Sequence, residues 1–250
     1  MKPIIEHEWL KRTSDATRIQ RDIIKPRVDL YGSAPAEGLA LGIECAFREN
    51  ARKVYCAAVL IRYPGFTEIE RSLAEEDTPF PYVAELSSFR EGKVICKALE
   101  TIQTKPDFIM IHGEGINAPS GIGVATHIGV LFDIPTIGCS RRLRFGVRPR
   151  VGKVRGAMTK MAIEGRDVAM VVRSKSDTKP IFISPGYKIG LDDSVRLVMS
   201  MIRGFRTPEP IRVPHLLVMR MKNEAEKIDP SPTPRRRTVA PRPPDPDDDE

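Results

Sequence analysis

Two short runs with almost nothing polar in them, Phe108-Ile109-Met110-Ile111 and Pro135-Thr136-Ile137-Gly138-Cys139, stand on either side of a helix-length stretch, Ile122–Phe132. A strand without polar alternation is buried on both faces, and such strands joined through a helix form a parallel βαβ unit with a right-handed crossover. That excludes an all-β sandwich or a helical bundle and calls for an α/β sheet covered on both sides.

The segments before this unit read differently. Leu39–Phe47 and Val54–Tyr63 are apolar stretches separated by Arg48-Glu49-Asn50-Ala51-Arg52-Lys53, a hairpin pattern, and Thr67–Leu73 continues it as a more polar third strand. A helix is expected from Ser88, where S-x-x-E to Glu91 precedes Ile95, Ala98, Leu99 and Ile102 at helical spacing. Val168–Val172 and Ile181–Ser184 read as further strands. Val195, Val198, Met199 and Ile202 form one face of a last helix, stopping near Gly204. The mixture in Ile4–Ile24 reads as a single amphipathic helix ending before Lys25-Pro26. The whole is a mixed α/β domain, an antiparallel meander feeding parallel βα units, with flanking helices.

Charge divides the chain in two. Residues 229–250, DPSPTPRRRTVAPRPPDPDDDE, hold four arginines and six acidic residues with almost nothing to bury, and are expected to be a disordered tail. Residues 1–228 then carry a net charge of +9 against +7 for the entire chain, so the basic excess belongs to the domain and suits a polyanionic partner such as DNA or RNA. No apolar run approaches the roughly 18 residues of a membrane span, and charged residues interrupt the N-terminus before a signal core could form. A cytoplasmic protein without a membrane partner is expected, and a monomer. Cys45, Cys56, Cys96 and Cys139 have no metal-ligand spacing and read as reduced core thiols.

Three places can carry chemistry. The turn His112-Gly113-Glu114-Gly115 follows an apolar strand, where α/β sheets open a crevice, and its glycines would let a ligand approach the backbone. Glu44 interrupts the first apolar strand, where a buried carboxylate needs a metal, a base or a hydrogen-bond donor, unless that strand is half exposed. Glu91 stands where a capping-box glutamate would serve its own helix. His7, His127 and His215 have no recognisable spacing and read as surface or packing residues.

Several consecutive blocks resemble the endonuclease V family, which cleaves nucleic acid near deaminated adenine. They are Pro81-Tyr82-Val83 with Ser88-Phe89-Arg90-Glu91; residues 121–130, GIGVATHIGV; Asp133-Ile134-Pro135-Thr136-Ile137-Gly138; Arg173-Ser174 with residues 180–184, PIFIS; and Arg206-Thr207-Pro208-Glu209-Pro210. The resemblance runs from Ile4 to Arg212 and implies a ribonuclease-H-like fold. It also implies metal-assisted phosphodiester hydrolysis, with Glu44, Glu91 and His112 at the positions that hold Mg²⁺. A wedge at Pro81, Tyr82, Val83 and Ala84 and a base pocket at Gly113 and Gly115 are implied too, with Arg141 where the family has a lysine. The family has Asp where Glu44 and His112 stand, His-Pro where this chain reads Ala118-Pro119, and Gly at Glu85. Imidazole suits Mn²⁺ or Zn²⁺ better than Mg²⁺. Glu114, two residues beyond His112, would complete an altered site, while Asp192 matches a further carboxylate or caps its helix. Two readings follow: an endonuclease V-like repair enzyme cutting inosine-containing DNA or RNA at an altered metal site, or a paralogue that binds nucleic acid without cutting it.

Removal of residues 229–250 is expected to leave the thermal unfolding midpoint within a degree or so, by a surface-segment argument; a large drop would show that the tail packs on the domain.

Overall fold

The computed structural model describes residues 1–9, 12–48 and 52–228; the tail expected from residue 229 lies outside them. Eight strands form one sheet in the order β3-β2-β1-β4-β5-β8-β7-β6. β1 (Gly38–Arg48), β2 (Lys53–Tyr63) and β3 (Thr67–Asp77) are the antiparallel meander. β4 (Phe108–Ile111) and β5 (Thr136–Ser140) run parallel to β1 and each other. β6 (Met158–Ile163), β7 (Arg166–Val172) and β8 (Ile181–Tyr187) then return antiparallel.

The period-2 pleat of β1 sorts its side chains between two cores. Leu41 and Ile43 join the layer made with α2 (Ser88–Thr101) and α3 (Val124–Phe132), which includes Val94, Ile95, Leu99, Ile128 and Leu131. Ala40 joins Met110, Ile137 and Val198 on the opposite face, beneath α4 (Leu191–Ser200). Ala46 meets Val218 of α5 (Glu209–Ile228) on that face. All four residues of β4 are buried, as its unbroken apolar run requires.

Three segments depart from the sequence reading. Residues 4–9 are not helical: the Ile4 amide donates to the Leu131 carbonyl at 2.7 Å, and α1 (Thr13–Ile19) starts only later, continuing as a π-helical turn over Gln20–Ile24. β6 lacks an apolar signal because only Met161 is buried in it. The largest omission is α5, twenty residues beyond the expected last helix, with Pro214 inside it.

α5 lies against β1 because Gly42 lets it. A Cβ built on Gly42 would stand 1.7 Å from the Pro210 carbonyl oxygen, a backbone atom that cannot swing aside. Gly42→Ala is therefore expected to destabilise the domain by at least about 1–3 kcal/mol through overpacking, read as a lower urea midpoint; an unchanged midpoint would show that α5 is not seated by this contact.

Candidate functional site

β1, β4 and β5 are parallel neighbours, and the candidate residues gather towards their C-terminal ends, where such a sheet places its sites. Glu44 lies on β1, on the face that α5 covers, and is buried. His112 is the first residue after β4, and its amide continues the ladder by donating to the Ile43 carbonyl at 3.0 Å. Arg141 is the first residue after β5, and α5 supplies His215. These four side chains meet at one atom. Glu44 Oε1 lies 3.0 Å from His112 Nδ1, 3.1 Å from His215 Nδ1 and 3.2 Å from Arg141 Nη2. Arg141 Nη1 is also 3.4 Å from His215 Nε2. Burial pushes the Glu44 carboxyl up, but His112, His215 and Arg141 outweigh it and hold it at about 2. Its contribution to folding is thus present above the ordinary carboxyl range near 4.5 and lost as pH falls towards 2.

Glu91 and Glu114 form a second grouping. Glu91 is in the first turn of α2, but that helix has no side-chain cap, so the capping-box role is not what holds it there. Burial pushes its carboxyl up to about 8, with Glu114 and Glu44 reinforcing the rise and Arg144 opposing it. Glu114 is buried, with an oxygen 3.4 Å from Arg144 Nη1. Glu114 therefore turns to Arg144 while His112 turns to Glu44. The two glycines of this turn admit the chain itself: a Cβ on Gly113 would meet Val124, and one on Gly115 would stand 2.1 Å from the Pro185 carbonyl oxygen. Asn117 Oδ1 accepts from the Gly115 amide at 2.9 Å and closes the turn. Asp192 sits in the first turn of α4, after the N-cap Gly190, with no side-chain cap.

At the proposed wedge, Pro81 and Tyr82 are exposed and Val83 is partly buried. Tyr82 is 65 % exposed, and the Arg90 guanidinium lies over its ring, 5.5 Å from the centroid.

A divalent cation does not fit the donors present. Three nitrogen donors already converge on Glu44 Oε1, one of them a guanidinium. The buried Glu44 Oε2 has no hydrogen-bond partner among the described residues. Among the described residues, no three His, Cys, Asp or Glu side chains are arranged to hold a metal ion. A Mg²⁺ site needs oxygen ligands in octahedral order, and these residues have their charges compensated already.

Two features escaped the sequence reading. His215 is 171 residues from Glu44 and becomes a neighbour only through α5. The segment 141–155 holds seven arginines and lysines and no acidic residue, a local run that whole-domain charge conceals. It forms a structured arm tied at both ends. Arg206 donates to the Arg141 carbonyl at 2.7 Å, and Arg173 donates to the carbonyls of Gly152 at 2.8 Å and Val151 at 3.2 Å. Arg142, Arg150 and Arg155 are exposed along it, and it begins at the crevice with Arg141 and Arg144. The four cysteines are free thiols, three of them buried, as expected.

Residues 24–216 match the family model for endonuclease V. The chain is 32 % identical to the endonuclease V of Gloeobacter violaceus over 84 % of its length and 86 % of that protein's. It is 34 % identical to that of Dictyoglomus thermophilum, over 84 % and 90 %. The crystal structure of endonuclease V from Streptomyces avermitilis superposes with a TM-score of 0.82 at 28 % identity, covering 90 % of this chain and 99 % of that one. The Ciona intestinalis endonuclease V, solved with a 24-mer DNA containing an inosine followed by a ribo-adenosine, shares the fold with a TM-score of 0.75 at 18 % identity, over 85 % and 98 %.

The buried Glu91 makes stability depend on pH. Its raised carboxyl favours the folded state below the ordinary value of 4.5, and that advantage is lost as pH rises through about 8. Urea denaturation between pH 5 and 9 should show wild-type stability falling across this window. Glu91→Gln, which keeps the neutral shape, should flatten the profile and be the more stable protein at pH 9. A glutamine variant weaker throughout would mean that the ionised carboxylate is the form the fold uses.

Proposed function

The chain belongs to the endonuclease V family, whose ribonuclease-H-like fold it has, and on that premise we propose that it binds nucleic acid in the family's crevice while having given up divalent-metal hydrolysis there. The observation that carries this is the internal compensation of Glu44 by Arg141, His112 and His215. A carboxylate whose charge is met by a guanidinium and two imidazoles offers a divalent cation little. Admitting one would also place it beside a fixed positive charge in a buried setting, where repulsion is poorly screened.

Binding draws on different residues. The arm from Arg141 to Arg155 supplies charge for phosphates, and the exposed Tyr82 supplies a ring for a base. A relative solved with inosine-containing DNA makes deaminated strands the first ligand to try. Cleavage at an altered Mg²⁺ or Mn²⁺ site, through Glu44, Glu91, His112 and Glu114, would require Arg141 and Arg144 to leave their carboxylates.

The assay uses the full chain with labelled inosine-containing and control DNA and RNA, with and without Mg²⁺ or Mn²⁺. Binding is expected to weaken steeply with salt, and replacing Arg142, Arg150 and Arg155 together by Glu should lower the slope of log affinity against log salt by about one for each phosphate no longer neutralised. Neither metal should stimulate cleavage. Metal-stimulated cutting that Glu91→Ala abolishes would overturn the loss of hydrolysis; affinity indifferent to salt would overturn the nucleic-acid role.

A further inference from the structure

We propose that a cavity between the N-terminal segment, the end of β3 and the first two turns of α2 binds a single purine base. This rests on the reading that the protein binds nucleic acid, because a base of a bound strand is the source that the location favours; a free nucleoside carries the same chemistry. The cavity holds about 330 Å³, at the lower end of the range of small-molecule sites, and so suits one base with its sugar. Among the described residues, none of Glu44, His112, Arg141 and His215 lines it, and neither does the turn at Gly113 and Gly115.

The walls are aromatic and held in place. The Trp9 ring lies against Gly92 of α2, where an added Cβ would stand 2.1 Å from it, and it meets the rings of His7 and Phe89 edge-on at 4.4 Å and 5.8 Å between centroids. Phe80 stacks on Phe89 at 5.6 Å. His7 is fixed in turn by an Nε2 to Nε2 hydrogen bond of 2.8 Å with the buried His127. Rings that already stand in position spare a flat ligand the cost of ordering them, and a flat π-system is what such walls hold best.

Polar groups decide which flat molecule fits. Thr78 lines the cavity and is 5 % exposed, and its Oγ1 has no hydrogen-bond partner among the described residues, although its amide donates to the Arg52 carbonyl at 2.7 Å. A buried hydroxyl without a partner is costly, and a ligand that brings a donor or acceptor to it relieves that cost. Glu8, Glu76 and Asp77 line the cavity against Arg90 and Lys93, three carboxylates to two cations, so an anionic group is disfavoured inside. A neutral ring whose edge both donates and accepts meets this set, and the two-ring bases cover the aromatic walls with the larger face. Arg90 also places the cavity beside Tyr82: its guanidinium lies over the Tyr82 ring, 5.5 Å from the centroid, so a base displaced by Tyr82 has the cavity next to it.

Trp9 is the one tryptophan of the chain, so its fluorescence reads the cavity directly. The test titrates the full chain with adenosine, with inorganic phosphate, and with a purine-rich single-stranded oligonucleotide beside an abasic strand of the same length. The signal is corrected for absorption by the bases, and binding of both strands is followed separately through an end label. Adenosine is expected to quench Trp9 with half-effect on the order of 0.1–1 mM. The purine strand should do so at lower concentration, because phosphate contacts outside the cavity add to its affinity; phosphate and the abasic strand should leave Trp9 unchanged. Thr78→Val, similar in shape, should raise the half-quenching concentration roughly 5- to 10-fold with the urea midpoint unchanged or higher, since the hydroxyl loses no bond in the free protein. Quenching by adenosine and not by the strand would uphold the site and make a free nucleoside its ligand. A purine strand that binds while neither it nor adenosine alters Trp9, quenching by phosphate or the abasic strand, quenching that Thr78→Val leaves unaltered, or a lower midpoint in that variant would overturn the proposal and leave the binding reading intact. An adenosine signal with no binding of either strand would instead overturn that reading and leave the site.

Discussion

A carboxylate in the middle of a buried strand is the constraint on which the centre of this protein depends. Glu44 occupies a β1 position whose neighbours along the same face are Gly42 and Ala46, small residues that let α5 come close. An isolated ionised carboxylate in such a place is not tolerated, and removing one partner of a buried pair typically destabilises by about 3–5 kcal/mol. The chain meets this with three donors from three elements: the residue after β4, the residue after β5, and α5. The parallel strand ends and the last helix are thereby tied to one oxygen atom.

The same constraint separates architecture from chemistry. The sheet order, the crevice at the strand ends and the path of the chain belong to the endonuclease V family. The electrostatics at the centre rest on this chain's own side chains. Arg141 and Arg144, both from the start of the basic arm, each sit on a buried glutamate, so one segment supplies the compensating charge inside and the exposed arginines outside. Glu91 is the exception, kept neutral by burial instead of being paired.

What could be read from the sequence follows from how local each signal is. The βαβ unit was legible because buried parallel strands leave an unbroken apolar run, as β4 does, and the meander because β1 and β2 are long and separated by polar residues. Glu44 and His112 were legible as one polar residue inside, and one just after, such runs. α5 was not: it carries Pro210 in its first turn, where a proline lacks only an amide that has no partner there anyway, and Pro214 further inside, so its sequence does not look helical. Without α5, His215 had no route to the site. The N-terminal segment misled in the opposite direction, since the Ile4 and Ile5 amides bond to the Leu131 carbonyl near the end of α3 from a bend while their apolar spacing suits a helix. The direction in which Glu114 turns depends on Arg144 coming round from the next loop, which no local pattern encodes.

The functional reading proposed stands or falls on Glu44 being compensated by Arg141, His112 and His215 in place of a divalent metal. Isothermal titration of Mg²⁺ and of Mn²⁺ into the metal-free full chain tests it most directly. No saturable heat is expected at millimolar metal for the wild type. A one-site isotherm that Glu44→Gln removes would contradict it.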